Sequence, residues 1–315
     1  MKKALIYPWL AVLVVAFGLA SAQGQQKIVF STPVKSVHID MPMLAMEEQG
    51  FWKQLGVNVE WVAFKTGRAQ ADAQTAGSVN VSYTTVLSTI LGVSRGIPVT
   101  LVADTKLRND FFVYVPANSR LKESQDLKGT NMGVFQTGSA AHAYGILVAK
   151  KLGLEKEIKF VGSGGTTTSV AAIKSGAIDS MMSNGFSVIN LEHEGEIRKI
   201  VSVRDYLPNQ WTDMVLLSRR DFAAQRPADL KKVIKGFHMA TDFFMKNPDW
   251  AVAKMKAHMG YSEGAARLAF PLLRWADDWK IDPQVVKNIR DFLMEYKLIQ
   301  KSPELDTLYT NQFVN

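Results

Sequence analysis

From residue 27 onward, apolar and polar positions run in short alternating bursts separated by stretches of helical spacing. Lys27 to Phe30 reads as a strand, Met41 to Gln49 as a helix, and Val57 to Phe64 as a strand in which Val57, Val59, Trp61 and Ala63 share one face. A helix over Gly67 to Ala76, a strand over Val79 to Tyr83, a helix over Val86 to Ser94 and a strand over Pro98 to Ala103 follow. This is a βαβαβαβ succession, the pattern of a sheet wrapped by helices.

The same grammar restarts at Asp110. Strands are predicted over Phe111 to Val115, Met132 to Phe135, Ile158 to Val161 and Ile178 to Met182, with helices over Ser139 to Leu152 and Thr167 to Ser175. A second α/β lobe is the simplest reading. Ala76-Gly77-Ser78-Val79-Asn80 is echoed by Ser175-Gly176-Ala177-Ile178-Asp179, each glycine falling where a helix ends in a left-handed residue. Beyond Pro227 the spacing is helical: Pro227 to Lys246, Asp249 to Met259, Ser262 to Leu273 and Asp282 to Tyr296. Pro227, Pro248 and Pro283 fall in first turns, where a missing N–H costs nothing. The Met and Trp residues of these helices are read as core.

The N-terminal stretch has a different character. Lys2 and Lys3 precede an apolar run from Leu10 to Ala20, interrupted by Gly18, that closes on Ala20-Ser21-Ala22, the small-x-small pattern of a signal-peptidase site. Export with cleavage after Ala22 is expected, and a periplasmic location. With no cysteine, the chain carries neither disulfide nor thiolate nucleophile. The formal charge of +8 becomes +6 without residues 1–22, which hold two lysines and no acid. That balance permits a small anionic partner. Nucleic acid is disfavoured, because the basic residues are scattered and not interleaved with aromatics.

In doubly wound sheets small molecules bind beyond the C-terminal ends of strands, where helix N-termini point outward. The loops at those positions supply the candidate ligand-binding residues: Ser36, Val37 and His38; Thr66, Gly67 and Arg68; Tyr83, Thr84 and Thr85; Thr137, Gly138 and Ser139; and Asn184, Gly185 and Phe186. They are rich in Gly, Ser and Thr and nearly free of carboxylates, which suits a neutral or anionic solute, with Tyr83 and Phe186 as stacking faces. Each hydroxyl is equally an ordinary N-cap. Arg68 is either a fork of donors for a carboxylate, sulfonate or nitrate, or an exposed first-turn arginine. His142, one turn into its helix, is placed behind the site. Gly162 to Thr166 lacks the Gly-Lys-Ser/Thr of a nucleotide loop, the five histidines lack metal-ligand spacing, and no Gly-x-Ser-x-Gly occurs. No catalytic residue, metal or cofactor is expected.

The succession Phe51-Trp52-Lys53-Gln54-Leu55-Gly56-Val57, Ala76 to Asn80, Leu127-Lys128-Gly129, Gly133-Val134 with Gly138 to His142, and Ser175 to Asp179 resembles the nitrate/sulfonate/taurine-type solute-binding proteins of ABC importers. The resemblance implies a type II periplasmic-binding fold with a ligand cleft between two lobes. Lobe 1 would be discontinuous, 27–105 and 210–315, and lobe 2 would span 106–209, with crossings near Asp104 to Arg108 and Arg204 to Trp211. Carried over by position, Thr84, Thr85, Gly138, Ser139 and the Asn184 to Phe186 turn would line the cleft. The implied partners are a small organic solute, sulfonate, carboxylate or heterocyclic acid, and an importer permease. Tyr83-Thr84-Thr85-Val86 and Asn184-Gly185-Phe186 depart from the family's usual proline-bearing turns. A receptor that presents its ligand to a membrane sensor and a periplasmic enzyme on the same scaffold are the alternatives. Desulfinase and thiamine-pyrimidine synthase relatives of this fold rely on cysteine, which is absent here.

Overall fold

The first half of one sheet is laid down by β1 (Ile28–Thr32), α1 (Val37–Glu48), α2 (Phe51–Gln54), β2 (Val59–Ala63), α3 (Gly67–Thr75), β3 (Val81–Thr85), α4 (Val86–Ser94) and β4 (Val99–Asp104). The chain then crosses to a second sheet. That part comprises β5 (Phe111–Pro116), β6 (Asn131–Val134), α5 (Ala140–Leu152), β7 (Lys159–Gly162), α6 (Thr166–Lys174), β8 (Ser180–Asn184), α7 (Gly185–His193) and β9 (Ile197–Ser202). It returns through β10 (Met214–Arg219) into α8 (Arg220–Gln225), α9 (Pro227–Lys246), α10 (Pro248–Met259), α11 (Glu263–Ala269), α12 (Pro283–Glu295) and α13 (Leu305–Leu308). This computed structural model describes residues 26–33, 35–65 and 67–314. The leader expected at 1–22, with its cleavage point, and Thr66 lie outside them.

The two sheets follow one plan. The first has the order β2-β1-β3-β10-β4 and the second β7-β6-β8-β5-β9. Three strands are parallel in each, and the fourth in the order runs antiparallel to both neighbours: β10 against β3 and β4, β5 against β8 and β9. Both inserted strands are the ones that arrive directly from a crossing. The repeated pentapeptides have equivalent jobs. Asn80 N–H donates to the Val29 carbonyl and Asn80 Oδ1 accepts from Val29 N–H. In the other sheet Asp179 N–H donates to the Asn131 carbonyl while its carboxylate accepts from Asn131 N–H. Each preceding glycine has a left-handed φ, +78° at Gly77 and +74° at Gly176.

The long C-terminal helix α9 buries Leu230, Val233, Ile234, Phe237 and Phe244, the stripe its spacing predicts. It lies on α1 at close range. A Cβ at Gly236 would stand 2.6 Å from the Met46 methyl and 2.9 Å from a Leu55 methyl, so glycine there permits the approach. Pro227, Pro248 and Pro283 open α9, α10 and α12. Of the methionines and tryptophans on the C-terminal helices, Met255 is buried, while Met245, Trp250, Met259 and Met294 are half-buried against the apolar clusters. The sequence pattern passes over β9, β10, α7 and α8. In β10, Met214 to Ser218 are all buried, so no polar alternation marks the strand.

Phe237, fully buried, holds the first lobe's core together by stacking on Phe30 (ring centroids 5.7 Å apart) and contacting Tyr83 (4.7 Å) and Trp279 (5.9 Å). Phe237→Ala is expected to cost about 3–5 kcal/mol of stability in urea denaturation. A loss below about 1 kcal/mol would mean that this cluster does not carry the core.

Candidate functional site

Between the sheets lies a cavity of about 410 Å³. Helical arithmetic explains two of its walls. On α3 the positions Arg68, Asp72 and Thr75 share a face, and along α4 so do Thr85, Ser88, Leu91, Gly92 and Arg95. The second lobe contributes Phe135 to Ala141, the segment that leads into α5. His38, Ile39, Phe111, Asn184, Asp213 and Met214 close the base.

Of the residues singled out from sequence, His38, Gly67, Arg68, Thr84, Thr85, Thr137, Gly138, Ser139 and Asn184 line this cavity. Ser36, Val37, Tyr83, Gly185 and Phe186 do not. Neighbouring strand residues point to opposite faces, so a strand that gives Thr84 to the cavity turns Tyr83 into the core. There the Tyr83 hydroxyl pairs with Thr105 Oγ1 (3.1 Å) and accepts from Trp275 Nε1 (3.3 Å). Phe186 packs in a buried cluster with Val37 and meets the His38 ring at 5.4 Å. Neither aromatic is a stacking face for a solute.

Gly185 and Phe186 also fail as an anion cradle, because the N–H groups at the start of α7 already have acceptors. The Gly185 N–H donates to the Asp110 carbonyl (2.8 Å), the Phe186 N–H points to Asp110 Oδ2 (3.4 Å), and the Ser187 N–H donates to Asn184 Oδ1 (2.8 Å). The protein's own carboxyl thus occupies the N-terminus of α7. The contacts of Ser36 Oγ with Asn184 Oδ1 (3.3 Å), Tyr261 with the Phe186 carbonyl and Ser262 N–H with Asn190 Oδ1 (2.7 Å) seal this edge of the cleft.

The N-terminus of α5 is arranged differently. Ser139 Oγ accepts from His142 N–H (3.3 Å), and His142 Nδ1 accepts from Gly138 N–H (3.0 Å), so His142 sits behind the loop and holds its shape. The Ala140 and Ala141 N–H groups between them have no acceptor among the described residues. Gly138, at φ +79°, lies under the Arg95 guanidinium: a Cβ there would be 3.2 Å from Arg95 Nη2. Arg95 comes from the other lobe and forms no ion pair among the described residues. Arg68 lines the same cavity, but its Nε is engaged by both Asp72 oxygens at 3.0 and 3.2 Å, and the pair is largely exposed. Arg95 is therefore the guanidinium free to meet an anion. Sequence reasoning missed it, although the 85, 88, 92, 95 spacing continues the face that Thr85 begins.

Buried titratable groups surround the base. Burial lowers His38 to about 3, so it is neutral at physiological pH, with Nδ1 3.0 Å from Ser36 Oγ. Burial also raises Asp104 and Asp213 to about 6 and Asp110 to about 8. All three belong to the crossings, where Thr212 Oγ1 donates to Asp104 Oδ1 (2.9 Å) and the Arg204 guanidinium donates to the Asn109 carbonyl (2.8 Å). Asp213 Oδ1 accepts from Tyr144 of α5 (2.9 Å) and from Asn109 Nδ2 (3.3 Å).

Two α/β lobes joined by paired crossings around a cleft define the periplasmic-binding-protein fold. The chain belongs to the NMT1/THI5-like family, whose model matches residues 39–251. It is 25% identical over 207 residues to a protein of Brucella abortus (strain 2308) provisionally named a binding protein, a match that spans 65% of this chain and 63% of that relative. Among solved structures it is similar to the alkanesulfonate-binding protein SsuA from Xanthomonas axonopodis pv. citri bound to MOPS, with TM-score 0.80 and 17% identity over 90% of this chain and 98% of that one. A Candida albicans gene product described as having the generic periplasmic binding protein structural fold gives TM-score 0.77 at 14% identity, covering 91% of this chain and 96% of the other. The desulfurization enzyme DszB shares the fold too, with TM-score 0.62 at 16% identity over 92% of this chain and 97% of its own.

Asp110 supplies a test of the α7 arrangement. An unfolded chain releases that proton near pH 4, whereas the folded one holds it to about 8. Within that window the native state binds more protons, so raising the pH costs up to about 1.4 kcal/mol of stability per pH unit from this one group. Asp110→Asn cannot ionise, and its stability relative to the wild type is expected to rise across pH 4 to 8 in urea titrations. A constant difference would show that the carboxyl is not held protonated.

Proposed function

We propose that this protein is a periplasmic solute-binding receptor that captures a small organic anion between its lobes and delivers it to an ABC importer permease. The observation that carries the reading is Arg95 of one lobe lying over Gly138 of the other, in the cavity that the Ala140 and Ala141 N–H groups at the start of α5 also line. A free guanidinium and a helix N-terminus converge on one point in a cleft, and both favour negative charge. An anion seated there bridges the lobes, which is how binding is coupled to closure. The leader ending at Ala22 is read as cleaved on export.

Binding rather than turnover fits the side chains present. Beside the cavity, Ser36 and His38 are in contact, but the Ser36 hydroxyl is fully buried and no solute reaches it. His38 is a weak base there, and the chain has no cysteine. The proposed ligand contacts are Arg95, Gly138, Ser139, Ala140 and Ala141, with Thr84, Thr85 and His38 around the solute's body.

Ligand should raise the melting temperature with concentration. In a thermal-shift screen of organic sulfonates and carboxylates at least one member is expected to do so, and a flat response across the panel would remove the reading. By calorimetry, Arg95→Ala should weaken that ligand by about 1.5–3 kcal/mol, roughly ten- to a hundredfold. Arg68→Ala, whose guanidinium is already engaged and exposed, should cost less than about threefold. Equal losses at both positions would contradict the assignment of the anion to Arg95.

A further inference from the structure

The base of the cavity carries a second, oppositely charged feature. Asp213 is only 2% exposed and lines the cavity. Its Oδ1 is doubly engaged by Tyr144 and Asn109, whereas its Oδ2 accepts no hydrogen bond among the described residues. That oxygen is also absent from the fully enclosed unpaired atoms, of which Asp40 Oδ1 is an example. For a residue so deeply placed, the space that Oδ2 meets is the cavity itself. At pH 7.5 the group is ionised, since burial raises it only to about 6.

Helix α4 sets the distance between this carboxylate and Arg95. The Val86 N–H that opens the helix donates to the Asp213 carbonyl (2.9 Å), and Arg95 is the residue that ends it. The two backbone positions are therefore about 13 Å apart along one wall. Leu91 of α4, with Ile39, Phe111, Phe135 and Met214, makes the space between them apolar. A volume of about 410 Å³ exceeds what nitrate or a two-carbon sulfonate would fill and is in the range of pockets for ring-sized molecules.

We infer that Asp213 is the specificity-determining residue of this cleft, and that the solute is an aromatic monoanion with a hydroxyl or N–H donor at the end opposite its charge. The inference rests on the receptor reading above and sharpens it. The charged end lies at Arg95 and the start of α5, the ring against Phe111 and Phe135, and the donor on Asp213 Oδ2. A second negative group at the far end would face a carboxylate and be refused. A ring without a donor leaves a buried acceptor unpaired.

Calorimetry at pH 7.5 with benzenesulfonate, 4-hydroxybenzenesulfonate, 1,4-benzenedisulfonate and taurine tests this. The wild type is expected to bind the hydroxylated ring at least tenfold more tightly than benzenesulfonate, and to bind the disulfonate and taurine more weakly than either. Asp213→Asn should shrink the hydroxyl preference below threefold and admit the disulfonate, while Arg95→Ala should weaken both monosulfonates alike. The wild-type comparison stands even if Asp213→Asn does not fold. Binding that depends on Arg95 but ignores the 4-substituent overturns this inference and leaves the receptor reading intact. No binding of any of the four probes also overturns this inference, and the receptor reading falls with it only if the wider panel of sulfonates and carboxylates gives a flat thermal-shift response as well.

Discussion

Strand exchange is the constraint on which the rest of this molecule depends. Each sheet is completed by a strand that arrives from a crossing, β10 between β3 and β4, and β5 between β8 and β9. Both are flanked on either side by hydrogen-bonded neighbours, so each sheet closes its ladder only with the strand that a crossing delivers to it. The crossings are consequently pinned at four strand ends. The polar groups buried at their ends satisfy one another: Thr212 with Asp104, the Arg204 guanidinium with the Asn109 carbonyl, Tyr144 and Asn109 with Asp213. A cleft positioned over such a base has walls that belong to different lobes and a base common to both.

Charge is distributed around that cleft by occupancy as much as by composition. Two helix N-termini of the second lobe border it, and the protein has treated them oppositely. Asp110 takes the N–H groups of α7 and holds that edge shut, while the N–H groups of Ala140 and Ala141 on α5 meet no acceptor among the described residues, beside the Gly138 that Arg95 covers. The same contrast separates the two arginines. Asp72 engages Arg68 within its own helix, and among the described residues nothing comparable engages Arg95. What discriminates a ligand contact from a structural one here is the neighbour that already fills the group's valence.

The fold was legible to the extent that it rests on local periodicity. The strand and helix succession through β4 and again from β5 to β8, the paired glycine turns at Gly77 and Gly176, and the proline-led C-terminal helices all follow from spacing and turn chemistry. β10 left no such trace, because a strand covered on both faces is a plain apolar run and its partners lie more than a hundred residues away. The site divides the same way. Loops after strands pointed to Thr84, Thr85 and Gly138, since topology dictates where those loops lie. Tyr83 and Phe186 were misplaced because facing depends on strand parity and on what packs behind. Asp213 lay in a crossing segment with no motif, and only the folded chain brings it to the end of α4. Likewise the pairing of Arg68 with Asp72 is visible as an i,i+4 spacing, but the freedom of Arg95 is a property of three dimensions.

The central claim is that an anion bridges the lobes at one point. A crystal structure of the protein with the solute that co-purifies with it, identified by mass spectrometry, tests this most directly. The account predicts an anionic group within about 3.2 Å of the Ala140 and Ala141 N–H groups and of the Arg95 guanidinium. A ligand seated on the α7 edge near Phe186, or outside the cleft with Arg95 turned to solvent, would contradict it.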